Sequence, residues 1–350
     1  MAARWPRHVR IARILSGVRS PVTQLCRSMR GPTRLPALLG GGLLAAVTLA
    51  GCSMVTPASE HTAALKSGAR PQSASPTPSP TPSPKPRHCA RIAPGFSCAM
   101  RDRIHAVQRY LRRSGAPGSI AIVLDDRATG AVWRNPNADV DYPAASTMKL
   151  AMMTDILQRA SAGQITLTPA DQQEMFQALY TSNDDDANDL WDQFEDGSFL
   201  QRIQAFGMST ATFTSSVPNW GFMYCSAQDL DNLMNYVLGK APASVRNYLV
   251  YRLQHVSAID QQWGVWGAGP QNRPGNKDGW EFDPPWITNT VGFAGPHQEY
   301  TLAIMYNLEG YGNADDIGFN YGINTLTQIA SLLFQGHHTA QPAAQASAVP

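Results

Sequence analysis

Tyr142-Pro-Ala-Ala-Ser-Thr-Met-Lys149, continuing into Leu150-Ala-Met-Met-Thr-Asp-Ile-Leu157, is the stretch on which the reading of this chain turns. Met148, Leu150, Met152, Met153, Ile156 and Leu157 make Ser146 to Ala160 apolar nearly all round, which predicts a buried helix. Ser146 and Lys149 lie three residues apart in its first turn and so share one face. The helix N-terminus adds positive potential for a developing oxyanion, a geometry that suits a serine nucleophile. Lysine is also scarce, with Lys66, Lys85, Lys149, Lys240 and Lys277 the only examples. A buried lysine can lose its proton and act as a base, whereas arginine cannot, so Lys149 reads as a chemical group rather than a solvated charge.

Working outward, Ala99 to Arg113 has the pattern of an amphipathic helix. Gly118 to Asp125 and Thr129 to Trp133 read as a strand, turn and strand. Helical patterns follow over Pro169 to Tyr180, Ala187 to Phe194, Phe199 to Phe206, Ala227 to Leu238 and Ala243 to His255, making the middle of the domain helical throughout. Gly264 to Gly267, Trp286 to Phe293 and Tyr300 to Tyr306 are β-rich runs between Gly and Pro turns, and a closing helix is expected near Asn320 to Phe334. This order predicts an α/β (α+β) fold, with an antiparallel sheet flanked by terminal helices beside an all-helical lobe and one cleft between the two.

Two further segments join Ser146-Thr-Met-Lys149. Ser182-Asn183-Asp184 is followed by Ala187-Asn188, and Lys277-Asp278-Gly279-Trp280 precedes a β run. Together the three resemble the S-x-x-K, S-D-N and K-T-G motifs of class A β-lactamases and penicillin-binding proteins, in the same order. The resemblance spans roughly Ala99 to Phe334 and implies a β-lactamase/transpeptidase-like fold. It implies roles as well: Ser146 as the acylated nucleophile, Lys149 as its base, Ser182 as a proton shuttle, and Lys277 as anchor for a substrate carboxylate. Gly279, Trp280, Asp184 and Asn188 would contact substrate, with Trp280 flanking and narrowing the cleft. The backbone N–H groups of Ser146 and Trp280 would form the oxyanion hole. No metal ion and no cofactor is required.

The departures from the family bear on function. Class A enzymes carry a deacylating glutamate on a loop between the second and third motifs, yet Gly197 to Gln228 contains no Asp or Glu. Asp184 stands where an asparagine amide would donate to substrate, and a carboxylate there can pair with Lys149 instead. Asp278 replaces threonine, and the interval from Ser146 to Ser182 is shorter than in typical class A enzymes. The acids from Asp184 to Glu195 also match most ligand positions of a calcium loop, although Asp189 stands where glycine is needed. Expected function is therefore acylation of Ser146 by a β-lactam or by a cell-wall peptide amide or ester, with poor β-lactamase turnover. Two alternatives are a D-alanyl-D-alanine carboxypeptidase and a non-catalytic envelope protein that binds peptidoglycan or a partner protein.

The N-terminal region predicts location. An apolar run from Leu35 to Ala50 follows Arg30 and Arg34 and is too short for a span, which is a signal-peptide layout. It ends in Leu49-Ala50-Gly51-Cys52, resembling the bacterial lipobox, so Cys52 would be lipidated and residues 1–51 removed; Met29 is an alternative start that gives a signal of normal length. Residues 52–88, with the run Ser75-Pro-Thr-Pro-Ser-Pro-Thr-Pro-Ser-Pro-Lys85, read as a polyproline-like spacer. The domain would occupy 89–336 and a disordered tail 337–350. An exported lipoprotein on the outer face of the cell membrane is expected, as a monomer. The net charge of +2 gives no argument for nucleic acid. In that compartment Cys89 and Cys98 are the expected disulfide pair, with Cys98–Cys225 the rival pairing.

Overall fold

The computed structural model describes Cys89 and residues 92–282, 286–309 and 316–336. Cys52, the alternative start at Met29, the spacer and the tail 337–350 lie outside the described residues. Among the described residues no helix is long and apolar enough to cross a membrane.

Helix α1 (Cys98–Ser114) opens on Ser97, whose hydroxyl accepts from Met100 N, and closes on Gly115 in the left-handed region. Strands β1 (Ser119–Asp126) and β2 (Ala131–Arg134) form the expected hairpin, and β3 (Asp141–Pro143) leads to the nucleophile segment. Then come α2 (Met148–Ser161), α3 (Pro169–Tyr180), α4 (Asp184–Phe194), α5 (Phe199–Gln204), β4 (Thr212–Phe213), β5 (Met223–Ser226), α6 (Ala227–Gly239) and α7 (Ala243–Leu253). The chain closes with β6 (Gly275–Phe282), β7 (Trp286–Ala294), β8 (Tyr300–Asn307) and α8 (Asp316–Phe334).

The main sheet is antiparallel throughout, in the order β2-β1-β8-β7-β6. Period-2 alternation gives it two buried faces. Ile122, Leu124, Leu302, Ile304 and Tyr306 pack with α1 and α8, whereas Ala121, Val123, Val291, Phe293, Ala303 and Met305 face the helical lobe. Strand β6 is left as the open edge, alongside the start of α2.

Three expectations are corrected. The middle is not all helix, because β3, β5 and β4 form a small second sheet; strands of two to four residues carry too little alternation to be read. Gly264–Ala268 is a 3-10 turn rather than a strand, entered at Gly264 with φ 56°. Lys277 to Trp280 lie inside β6 rather than before a strand. Elsewhere, Cys89 and Cys98 are disulfide-bonded and Cys225 is a buried free thiol.

A buried carboxyl joins α6 to the sheet. Thr301 Oγ1 donates to Asp231 Oδ1 at 2.5 Å, and Asn235 Nδ2 bridges Asp231 and Asp125 at 3.1 and 3.0 Å. Burial, with Asp125 nearby, raises the Asp231 pKa from 3.8 to about 7. Because the folded value is raised, the folded state holds this proton more tightly than the unfolded chain. The stabilisation is full below about pH 4, where the unfolded carboxyl is also protonated, and is lost as pH rises through about 7. The wild type should lose roughly 2–3 kcal/mol from this group between pH 5 and 8. Urea unfolding of Asp231→Asn at both pH values should show a flatter dependence, and an unchanged slope would contradict the assignment.

Candidate active site

Ser146 sits in a 3-10 turn, Ala145–Thr147, that feeds directly into α2. Asn289 on β7 fixes the entry, since its Nδ2 donates to Pro143 O at 2.9 Å and Ala144 O at 3.2 Å. Ala145 has φ 48° and Ser182 has φ 64°, so a non-glycine residue occupies the left-handed region both beside the nucleophile and at the proposed shuttle. Such conformations cost on the order of 1–3 kcal/mol each and concentrate at functional sites.

Ser182 lies in the turn between α3 and α4, where Asn183 caps α4 by accepting from Asp186 N. The turn carries Ser182 to two lysines. Lys149 Nζ donates to Ser182 O at 2.6 Å and Oγ at 3.3 Å; Lys277 Nζ donates to the same Oγ at 2.8 Å. Both lysines have 0% exposure. With both Ser182 lone pairs accepting, its single hydroxyl hydrogen is left to donate away from the lysines.

Lys149 Nζ also donates to Asp184 Oδ1 at 2.6 Å and lies 4.5 Å from the Trp220 ring centre, whose Nε1 donates to Asn188 Oδ1 at 3.0 Å. Burial lowers the Lys149 pKa, and the Asp184 carboxylate opposes the shift. Lys277 is driven further, well below the ordinary lysine range, by its own burial and by the charge of Lys149. Three acceptors engage Lys149 Nζ, and no hydrogen bond among the described residues joins that nitrogen to Ser146 Oγ. Asp184 therefore favours the protonated lysine, as its place in the sequence suggests. Removing that charge in Asp184→Asn should lower the Lys149 pKa further. The acid limb of any Ser146 acylation profile, where the rate rises as Lys149 loses its proton, should then move to lower pH, with about a ten-fold gain at pH 7 for each unit moved. An unmoved limb would show that Asp184 does not control the base.

Gly279 brings β6 against the nucleophile. A Cβ there would lie 2.6 Å from Thr147 N and 2.9 Å from Ser146 N, so only glycine allows this approach. Asp278 N points to the open edge, where it donates to Gln261 Oε1 at 3.0 Å. Two residues on, Trp280 N faces the same edge and so stands on the side of Ser146 N, as an oxyanion-binding pair requires.

The Trp280 side chain does not narrow the cleft. Alternation along β6 puts Lys277 and Gly279 on the face toward α2 and Trp280 on the other, where its ring lies 6.1 Å from Trp263 and 5.9 Å from Phe319. Asp278 shares that far face, and its burial holds the carboxyl well above the usual range. Asp184–Phe194 is continuous helix, which removes the calcium-loop reading. Glu195, with a pKa pushed up to about 8 mainly by burial, is paired to Arg159 and Arg202, and Asp229 completes the capping box of α6.

Two residues of the site lie outside the three motifs. Trp220, buried over Lys149, is one of six aromatics in the acid-free stretch. Gln261, fully buried against Lys277 at 3.0 Å, belongs to no motif and left no sequence signal. Beyond Gly279, Glu281 and Phe282 line a cavity of about 630 Å³ with Phe222, Met223 and Tyr224.

Sheet order, terminal helices, helical lobe and the Ser146 cleft together define a serine β-lactamase and penicillin-binding-protein fold. Residues 101–175 match the sequence model of the Beta-lactamase enzyme family. Among solved structures the chain is similar to a β-lactamase from Chitinophaga pinensis, at 11% identity and TM-score 0.55, covering 67% of this chain and 98% of that one. The structure titled PBP-A gives 15% identity and TM-score 0.54 over 67% and 95% of the two chains. A mycobacterial protein named "Putative lipoprotein LppW", from Mycobacterium tuberculosis, is 26% identical over 310 residues, covering 83% of this chain and 95% of the relative.

Proposed function

We propose that this chain is an envelope serine acyl-enzyme, acylated on Ser146 by a β-lactam or by an amide or ester of cell-wall peptide type, and slow to release the acyl group. The observation that carries the reading is the Ser182 hydroxyl held between two fully buried lysines at 3.3 and 2.8 Å, next to the nucleophile turn. Burying two cations costs several kcal/mol each, which structure alone does not need. In the acylation step Ser146 Oγ bonds to the acyl carbon while its proton passes to neutral Lys149. The carbon–nitrogen or carbon–oxygen bond then breaks, and Ser182 donates its proton to the leaving atom, being reprotonated from Lys149. The N–H groups of Ser146 and Trp280 receive the transient oxyanion.

Lipidation at Cys52 and attachment to the outer face of the membrane complete the proposal, supported by the lipobox and by the name of the mycobacterial relative. The test is intact-mass and peptide-level spectrometry after exposure to benzylpenicillin, a neutral acyl ester and a fluorophosphonate. One adduct per chain on the peptide holding Ser146 is expected from at least one of the three. No adduct from any of the three rejects the acyl-enzyme and favours a binding protein.

A further inference from the structure

The subsite beside Lys277 is already filled by the chain itself. An ε-ammonium has three N–H donors, and here Ser182 Oγ at 2.8 Å, Gln261 Oε1 at 3.0 Å and Asp278 O at 2.6 Å take all three. Gln261 Oε1 also accepts from Asp278 N at 3.0 Å, so one oxygen spans a cationic side chain and an open-edge N–H. That pair of donors is what a carboxylate oxygen would otherwise engage. Gln261 is not a passing contact. Its N–H donates to Ser257 O at 3.0 Å, and fully buried Asn276 ties Gln261 O and Trp263 O at 3.0 and 3.2 Å. Ser257 N is bonded to Tyr180 O at 2.9 Å, anchoring the loop to the end of α3 close to Ser182.

We propose that the Gln261 amide oxygen permanently occupies the place of a substrate carboxylate, so that the cleft selects acyl donors without a carboxylate at that end. An internal amide or an ester fits, and a chain terminus does not. The inference deepens the acyl-enzyme reading and rests on it for the meaning of selection. To reach Lys277, a carboxylate must displace an oxygen that satisfies two buried donors, and a displaced Gln261 has no room in a site where it is fully buried. Burial also holds the Lys277 pKa well below the ordinary range, which weakens the charge that would attract an acid.

The test measures binding rather than chemistry, so that it can fail independently of acylation. In a Ser146→Ala chain, calorimetry compares diacetyl-Lys-D-Ala-D-Ala with its C-terminal methylamide. The methylamide should bind at least ten-fold more tightly. Adding Gln261→Ala should erase or reverse that preference, and Gln261→Glu, which keeps a carboxylate-shaped group in place, should retain it. The parent comparison needs no change at Gln261, so misfolding of a variant does not decide the result. The proposal is overturned by equal or tighter binding of the acid to the parent, by no measurable binding of the methylamide, or by a preference that Gln261→Ala leaves intact in a folded chain. Loss of the acyl adduct on Ser146 with the methylamide preference intact would instead reject the acyl-enzyme and leave this subsite standing.

Discussion

Lys149→Met is expected to slow acylation of Ser146 by about 10³-fold, within the range attributed to a positioned base, and to stabilise the fold by about 1–2 kcal/mol. The two effects share one cause, an ammonium with 0% exposure. Keeping that cation out of water costs several kcal/mol, and its ion-pair partner Asp184 has a side chain 70% exposed, so the carboxylate returns to water at little cost when the lysine is removed. Against this stand the lost bond to Ser182 O at 2.6 Å and the bond to Ser182 Oγ, with about 1–3 kcal/mol for an orphaned acceptor. Met fills most of the volume, and its sulfur can rest on the Trp220 ring that now lies 4.5 Å from Nζ. Urea unfolding and the second-order rate of adduct formation read the two effects separately. A folded Lys149→Met chain that acylates at the wild-type rate would move the base role to Lys277, which is 2.8 Å from the same hydroxyl.

How much of this was legible in the sequence depends on how each feature is encoded. The α2 helix announces itself through an unbroken apolar surface, and Ser146, Lys149, Ser182 and Lys277 stand in motifs whose order survives even where Asp184 and Asp278 have changed. The orientation of Trp280 was in principle readable, since alternation from Lys277 sends it to the opposite face. It was missed because Gly275-Asn-Lys-Asp-Gly279 lacks the β-branched and aromatic residues that signal a strand. Gln261 could not be read at all. Its role comes from a loop tied down by Asn276 and by the end of α3, and such long-range polar contacts leave no periodicity. The same holds for Trp220, placed over Lys149 by a hydrogen bond to Asn188, 32 residues away.

Once formed, the acyl-enzyme should persist, with release slower by about 10²–10⁴-fold than a site with a positioned base would give. Hydrolysis needs a group that takes a proton from water beside the ester, and Asp184, Glu195 and Asp229 are committed elsewhere. Asp184 is held on Lys149. Glu195 is enclosed by Arg159 and Arg202, and Asp229 accepts from Ser226 N and Thr210 Oγ1 in the cap of α6. Over Lys149, in the stretch without acids, lies the Trp220 indole, an apolar surface that cannot activate water. Glu281 is the described acid that shares the β6 face with Gly279, about 7 Å further along the strand at ~3.3 Å per residue, which places it past the ester. Rapid-quench mass spectrometry should show one equivalent of adduct formed in a burst and then a slow decay that Glu281→Gln leaves unchanged. Decay within seconds would sink the prediction, and decay slowed by Glu281→Gln would make that carboxylate the missing base.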